Sequence, residues 1–462
     1  MSKNDEKSFI KRIAKITKEN NLLLSEIKEL NAKNEQLLQE NEGLRKTISK
    51  LETGEIAQQN KEIVTQKFKM ATVLYIDIHG FSNLNNKDNS ENIIDDLDEV
   101  FLYFDKIVEK YKIEKVKTIG DTYMCAGGIP EKNSTNPIDV IMAALEMQHY
   151  VKNIQNENLK LLDIHMGIHS GSVTAQILGK KKVSYELKGD TVNIASRMEA
   201  ASKAGEINIS VMTYELIKEF FTCSYQGSMP VKYKGNLEMY FVNGLLPELA
   251  ADDLFIKPNS SFFTKYGLVQ FVDLQELVLD RLEKELPEYL HYHNMKHTVD
   301  VVTQVELIAW GEGISDEEIL LLKTAALFHD FGHIKDFDTH EYQGTLLAKE
   351  ILPNFGYTQE QINTISEVIM ATKLPPRPTT LLQKIICDSD LDYLGRSDMV
   401  PVSNTLFEEL KAQNKIGSLN DWNKIQVKFI SGHQYFTETA RSLREINKQQ
   451  QIERIKSLIV EE

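Results

Sequence analysis

The sequence predicts a multidomain chain: an N-terminal parallel coiled coil, a mixed α/β domain and an all-α C-terminal domain. Three observations carry this. An apolar seam at heptad spacing runs over residues 13–51. Strand and helix patterns alternate from about residue 70 to Val242. From residue 269 onward, helical periodicity dominates and strand signals are scarce. A length of 462 residues fits two to four domains at roughly 100–200 residues each.

The seam places Ile13, Asn20, Ile27, Asn34, Asn41 and Ile48 at position a, and Ile16, Leu23, Leu30, Leu37, Leu44 and Leu51 at position d. Leucine at d with isoleucine and asparagine at a favours a parallel pair of helices, because facing asparagines satisfy each other there. Glu40 at g can reach Arg45 at the partner's following e. The expected boundaries are a coiled-coil dimerisation helix over 1–55, a linker over 56–69, the α/β domain over 70–245, a second linker over 246–268 and the helical domain over 269–462. Within the α/β domain, ATVLYIDIH (71–79) reads as a buried strand ending near Asp77. Residues 91–111 read as a helix, and IEKVKTIGDTYMCAG (113–127) as a hairpin turning at Gly120-Asp121. A helix at 137–155 and a strand at 162–168 follow.

The formal net charge is −15, from 53 Lys+Arg and 68 Asp+Glu. That balance opposes general electrostatic binding to nucleic acid or to an anionic membrane surface. Residues 1–67 carry 13 Lys+Arg and 11 Asp+Glu, so the acidic excess belongs to the later domains. The N-terminus lacks the apolar core of a signal peptide, and no apolar run reaches a membrane span of roughly 18 residues. Cys125, Cys223 and Cys387 lie far apart with no CxxC, which fits a reducing cytoplasm. Six of the eleven histidines fall between His291 and His340. That clustering is the first sign of a metal site. Trp310, Trp422 and the stripe ILLLKTAALF are expected in the core, while His79, His149, His165 and His169 are expected at the surface or as satisfied core residues.

Asp77 in YIDIHGFS and Asp121 in KTIGDTYM stand where strands end or turn. Carboxylates so placed can share hard divalent cations, which in turn bridge a nucleotide triphosphate. With GIHSGSVTAQILG (167–179), YELKGDTVNIASRME (185–199) and VKYKGNLEMYFV (231–242), these motifs resemble the class III nucleotidyl cyclases over about residues 70–245. The resemblance implies an α+β ferredoxin-like fold and conversion of ATP to 3′,5′-cyclic AMP and pyrophosphate with two Mg²⁺ or Mn²⁺. It makes Asp77 and Asp121 the metal carboxylates, with the Ile78 carbonyl as a further ligand. Phe81 and Ser82 match the turn that meets the triphosphate, and Lys232 matches a lysine on its terminal phosphates. Asn193 and Arg197 match the pair that orients the ribose and stabilises charge on the reacting phosphate. Lys117 and Glu186 match the base-reading positions. A lysine offers only donors and an ionised glutamate only acceptors, a pair that complements adenine. Glu186 departs from the family's usual shorter Asp or Thr, and Gln176 from a small glycine. The resemblance further implies a site between two chains. Asp77 and Asp121 come from one chain and Lys117, Glu186, Asn193, Arg197 and Lys232 from the other, so the protein's own second copy is a required partner.

YHNMKHTVDVV (292–302), ALFHDFGH (326–333), HEYQG (340–344) and ICDSDLDYLG (386–395) hold histidines and aspartates that suit a divalent transition metal. This ordered set resembles the HD superfamily of metal-dependent phosphohydrolases over about residues 270–400. His297, His329, Asp330 and Asp390 match its metal ligands, and His333 and His340 are candidates for a second metal, so one or two ions (Mn, Fe, Zn or Mg) are expected. The first motif resembles that of the cyclic-nucleotide phosphodiesterases, which implies that His293 is the general acid on the leaving 3′-oxygen and that cyclic AMP is a substrate. An imidazole, with an ordinary pKa near roughly 6.5, can carry that proton. Thr372 stands where many HD hydrolases have another histidine. Two alternatives stay open: the helical domain is a catalytically silent, metal-containing sensor, or it acts on another phosphoester.

Overall fold

A computed structural model describes residues 64–79, 90–158, 163–178, 184–231 and 235–460. The expected coiled coil over 1–55 lies outside the described residues.

The α/β domain runs β1 (Val64–His79), α1 (Ser90–Lys110), β2 (Glu114–Ile119), β3 (Thr122–Gly127), α2 (Asn136–Asn158), β4 (Asp163–Leu178), β5 (Ser184–Lys188), α3 (Asp190–Ala200), β6 (Ile207–Ser210), α4 (Val211–Ile217), β7 (Phe221–Val231) and β8 (Gly235–Leu245). The strands form one mixed sheet in the order β2-β3-β1-β4-β6-β8-β7, and β5 pairs with β4. β1 and β3 are antiparallel, as are β2 and β3, whereas β4 and β6 are parallel. The hairpin expected from Gly120-Asp121 is present. Gly120 sits at φ 61°, a left-handed conformation that glycine adopts without steric cost.

From Ala71 to Ile78, β1 is buried or half-buried on both faces, which explains the nearly continuous apolar run there. Leu74, Ile76 and Ile78 pack against Phe101 and Phe104 of α1 and Ile141 and Leu145 of α2. Val73 faces the other way, into a smaller cluster with Met124, Val192 and Ala195. By strand alternation Tyr75 and Asp77 share that second face. Helix α3 lies close on the sheet: a Cβ at Gly167 would come within 1.8 Å of the Glu199 backbone nitrogen.

β1 starts at Val64, inside the stretch expected as the first linker. The second expected linker holds a 3₁₀ turn, Pro247–Leu249, and the start of the long helix α5 (Ser260–Glu285). The helical domain continues with α6 (Met295–Glu312), α7 (Asp316–Phe328), α8 (His340–Ile351), α9 (Gln359–Met370), α10 (Leu381–Asp390), α11 (Met399–Ala412), α12 (Leu419–Gly432) and α13 (Glu438–Lys456). Its main core includes Val305, Leu322, Phe328, Ile365 and Ile386. Trp422 is buried as expected. Trp310 is not: it is 64% exposed, because α6 turns its inner face through Val301, Val305 and Ile308. His169 is a satisfied core residue, its Nδ1 2.6 Å from Ser210 Oγ. All three cysteines are free thiols. No helix among the described residues is long and apolar enough to cross a membrane.

Helix α5 belongs to both cores. Phe262 packs in the core of the α/β domain, and Phe271, Leu274, Val278 and Leu282 pack in the helical one. Polar contacts fasten the same junction. Tyr266 donates to Asp139 Oδ1 at 2.8 Å, and Ser134 donates to Asp273 from both its backbone N–H and its hydroxyl at 2.8 and 2.7 Å. Burial raises the Asp139 carboxyl from 3.8 to about 6, although hydrogen bonds from Tyr266, Thr135 and Asn133 pull it down. The folded state thus binds this proton more tightly than the unfolded chain does. The stabilisation is fully present below the unfolded value and is lost as pH rises through about 6. Between about pH 4 and pH 6, wild type is therefore expected to lose up to roughly 3 kcal/mol of stability relative to Asp139→Asn. Urea midpoints across that range check it, and parallel curves for the two proteins would count against it.

Candidate functional site

Asp77 lies near the end of β1, where the register sets it opposite Thr122 and so beside Asp121. The Ile78 N–H donates to the Asp121 carbonyl at 3.2 Å, and Thr122 Oγ1 donates to Asp77 Oδ1 at 3.4 Å. One end of the β1–β3 pair thus gathers Asp77, Ile78 and Asp121. Two carboxylates and a carbonyl form an all-oxygen donor set, which fits hard cations such as Mg²⁺ or Mn²⁺. Asn193 and Arg197 stand one turn apart on α3 and are both exposed, while Val192, Ile194 and Met198 face inward. Lys117 on β2 and Glu186 on β5 are exposed too. Their neighbours Val116 and Leu187 share one buried cluster, so β2 and β5 cover a common core. The Glu186 carboxylate lies 3.5 Å from Lys188 Nζ. Phe81, Ser82 and Lys232 lie outside the described residues.

The second constellation is assembled by helix ends. Asn294 caps α6, accepting from the backbone N–H of Lys296 at 2.8 Å and of His297 at 3.2 Å, which fixes His297 in the first turn. His329 and Asp330 follow the last turn of α7, and Asp390 closes α10. Ligand atoms of His297, His329 and Asp390 lie within 4.8 Å of one another. Asp330 stands between two groups. Its Oδ2 is 3.3 Å from His297 Nε2 and 3.2 Å from His329 Nε2. Its Oδ1 is 3.8 Å from His333 Nε2 and 3.7 Å from His340 Nε2.

This arrangement suits a metal better than a hydrogen-bond network. His329 Nδ1 is 2.7 Å from the Ala326 carbonyl, so Nδ1 carries the proton and Nε2 turns a lone pair inward. Asp330 Oδ2 and both His333 nitrogens are buried without a hydrogen-bond partner. Burial by itself would lower the His297 and His329 pKa values, yet Asp330 and Asp390 outweigh it and raise both. Burial would likewise raise Asp330, but the surrounding histidines hold it well below the carboxylate range. His333 is dominated by burial and falls to about 2, so it stays neutral and able to ligate. A second set of candidate ligands joins His293, Asp330 and His333.

The family model described as the adenylate and guanylate cyclase catalytic domain matches residues 63–244, and that of the HD domain matches residues 294–392. The chain joins a class III cyclase catalytic domain to an HD domain. Both families depend on divalent metals. The chain is similar to the receptor-type guanylate cyclase gcy-28 of Caenorhabditis elegans, 33% identical over 188 residues, which are 40% of this chain and 15% of that protein. It is also similar to an adenylate cyclase of Mycobacterium tuberculosis, 28% identical over 197 residues, covering 43% and 44% of the two. Among solved structures, the adenylyl cyclase CyaB of P. aeruginosa is 31% identical, with 40% of this chain and all of that one covered and a TM-score of 0.38. The chain thus spans less than half the length of these curated relatives.

Glu409 and Arg396 carry no sequence signal of their own, and Asp300 belongs to the quoted YHNMKHTVDVV motif without an assigned role. Glu409, on α11, is fully buried. Its Oε1 is 2.5 Å from His293 Nδ1, and its Oε2 accepts from the backbone N–H of Tyr292 and of His293. It lies 116 residues from His293 in a helix that reads as ordinary. Asp300 and Arg396 pair at 3.2 Å beside the site, and they too come together only in three dimensions. Thr372 is buried, with its hydroxyl donating to the Ile369 carbonyl at 2.8 Å.

Proposed function

We propose that the chain makes cyclic AMP from ATP in its cyclase domain and hydrolyses a cyclic nucleotide in its HD domain. The observation that supports this reading is that one chain places Asp77, Ile78 and Asp121 together at a strand end, and His297, His329 and Asp390 around Asp330 with His293 beside them.

In the cyclase domain, cations held by Asp77, Asp121 and the Ile78 carbonyl would offset triphosphate charge. Arg197 stabilises negative charge developing on the α-phosphate, and Asn193 orients the ribose so that its 3′-hydroxyl attacks there. Lys117 donates to adenine N1 and Glu186 accepts from the N6 amine, which selects ATP over GTP. Asn193 and Arg197 face solvent, as groups supplied to a second chain must, so we assign the active form to a homodimer. An ATP-consuming reaction and three free thiols suit a cytoplasmic protein.

In the HD domain, His297, His329, Asp330 and Asp390 would hold a divalent ion, with His333 and His340 available to a second. Such an ion supplies an activated water and charge neutralisation at phosphorus. Glu409 accepts the Nδ1 proton of His293, which fixes the ring and leaves Nε2 to protonate the leaving 3′-oxygen. The second reading, a metal-containing sensor without turnover, is favoured by one observation: Thr372 occupies a position where a further histidine is expected.

The test is product analysis on the purified full chain with Mn²⁺. Cyclic AMP from ATP, with at most about a tenth as much cyclic GMP from GTP, is expected. Equal rates would remove the base assignment. AMP formed from added cyclic AMP is expected as well, and its absence would leave the sensor reading in place.

A further inference from the structure

A cavity of about 290 Å³ opens beside His297 and Asp390. Two cations reach it, Lys296 and Arg396, and carboxylates that line the same cavity already hold both. Asp300 Oδ2 accepts from Lys296 Nζ at 2.8 Å and from Arg396 Nη1 at 3.2 Å. Arg396 turns its other edge to Asp398, with contacts of 2.6 and 2.9 Å. The remaining wall acid, Asp392, is matched by Arg444 at 2.6 and 3.2 Å. Apart from Asp390, which faces the metal-binding histidines, the cavity's charges cancel. Tyr292, Tyr393, Val301 and Val402 supply the apolar part of its wall.

We propose that Asp300 is the charge-selectivity residue of the HD cavity. It keeps Lys296 and Arg396 neutralised, so the cavity admits a phosphoester bearing one negative charge and rejects polyphosphates. This role for Asp300 rests on the reading of the domain as a phosphoesterase. A cyclic phosphodiester is a monoanion, and its single charge sits at the metal end. A nucleoside triphosphate or pyrophosphate brings several charges, and those beyond the metal's reach meet Asp300 and Asp398 with no cation in excess to offset them. Arg396 offers them no net charge, because its Nε, Nη1 and Nη2 each donate to Asp300 or Asp398 and those two carboxylates offset it. The selectivity has a use within this chain: the proposed cyclase reaction consumes one polyphosphate and releases another, and an ungated HD cavity would be blocked by both.

The test is titration calorimetry of the full chain with inorganic tripolyphosphate at constant free Mn²⁺. Wild type, Asp300→Asn, Asp398→Asn and the double variant Asp300→Asn/Arg396→Gln are compared, and any binding at the cyclase site is common to all four. Asp300→Asn is expected to show an added binding event that is at least about tenfold weaker in wild type. Arg396→Gln in the same chain removes it, and Asp398→Asn shows it less strongly. Isotherms for Asp300→Asn and Asp398→Asn that superimpose on wild type would overturn the proposal, and Asp398→Asn carries the test if Asp300→Asn does not fold. Absence of cyclic AMP hydrolysis by wild type counts against the phosphoesterase reading instead, and the isotherms still decide the role of Asp300.

Discussion

Asp330→Asn is expected to lower cyclic AMP hydrolysis by at least about 10³-fold and to strip metal from the HD domain, while cyclic AMP synthesis persists. The reason is geometric. Asp330 lies between four histidines, with one oxygen toward His297 and His329 and the other toward His333 and His340. An asparagine keeps the size but loses the charge, and turns an N–H₂ toward one of the two lone-pair clusters. The aspartates of the CDSDLD run are committed elsewhere. Asp388 accepts from the backbone N–H of Phe436 and Thr437, Asp392 is paired with Arg444, and Asp390 already faces His297 at 3.1 Å. Elemental analysis of bound metal, run beside the hydrolysis and synthesis assays on the same preparation, checks it. Retention of wild-type metal content with full hydrolysis would sink the assignment. Loss of both activities would point to misfolding.

The second large effect concerns the composite cyclase site. Asp77→Ala and Arg197→Ala are each expected to reduce cyclic AMP synthesis to background, at least about 10²-fold, through lost metal binding and lost stabilisation of developing charge. Mixed and allowed to exchange subunits, the two inactive proteins are expected to recover about a quarter of wild-type activity. Random pairing makes about half the dimers mixed, and each mixed dimer holds one intact site out of two. A site built within one chain would show no recovery. The structure is consistent with the shared arrangement, since Asn193 and Arg197 lie on the exposed face of α3 rather than buried against Asp77 and Asp121.

Much of the α/β domain was legible because its signals are local. The apolar run into Asp77, the Gly120-Asp121 turn and the four-residue spacing of Asn193 and Arg197 all express themselves within a few positions. Boundaries were less legible. β1 extends back to Val64 through largely polar, exposed residues that carry no strand signal, and α5 starts at Ser260 behind an Asn259 cap set among turn-forming residues that read as a linker. Trp310 was misplaced for a related reason: periodicity identifies a helix but not which residues of its apolar side find a partner. Among the HD residues, the histidines and Asp330 announced themselves by type and order. Glu409 did not, since a glutamate on an amphipathic helix looks like any solvated acid until the chain brings it to His293.

By itself the sequence determined which chemistry is available: carboxylates at strand ends, an Asn–Arg pair on one helical face, and an ordered set of histidines and aspartates. Those follow from residue type and short-range spacing, which need no tertiary information. Only the tertiary structure decided how each like residue is used. Three aspartates in CDSDLD differ by two positions each, yet one caps a distant backbone, one pairs with an arginine and one faces the clustered His297 and His329. Burial and partners drawn from remote segments separate those roles, and a carboxylate's neighbours in space are not written in its neighbours in sequence.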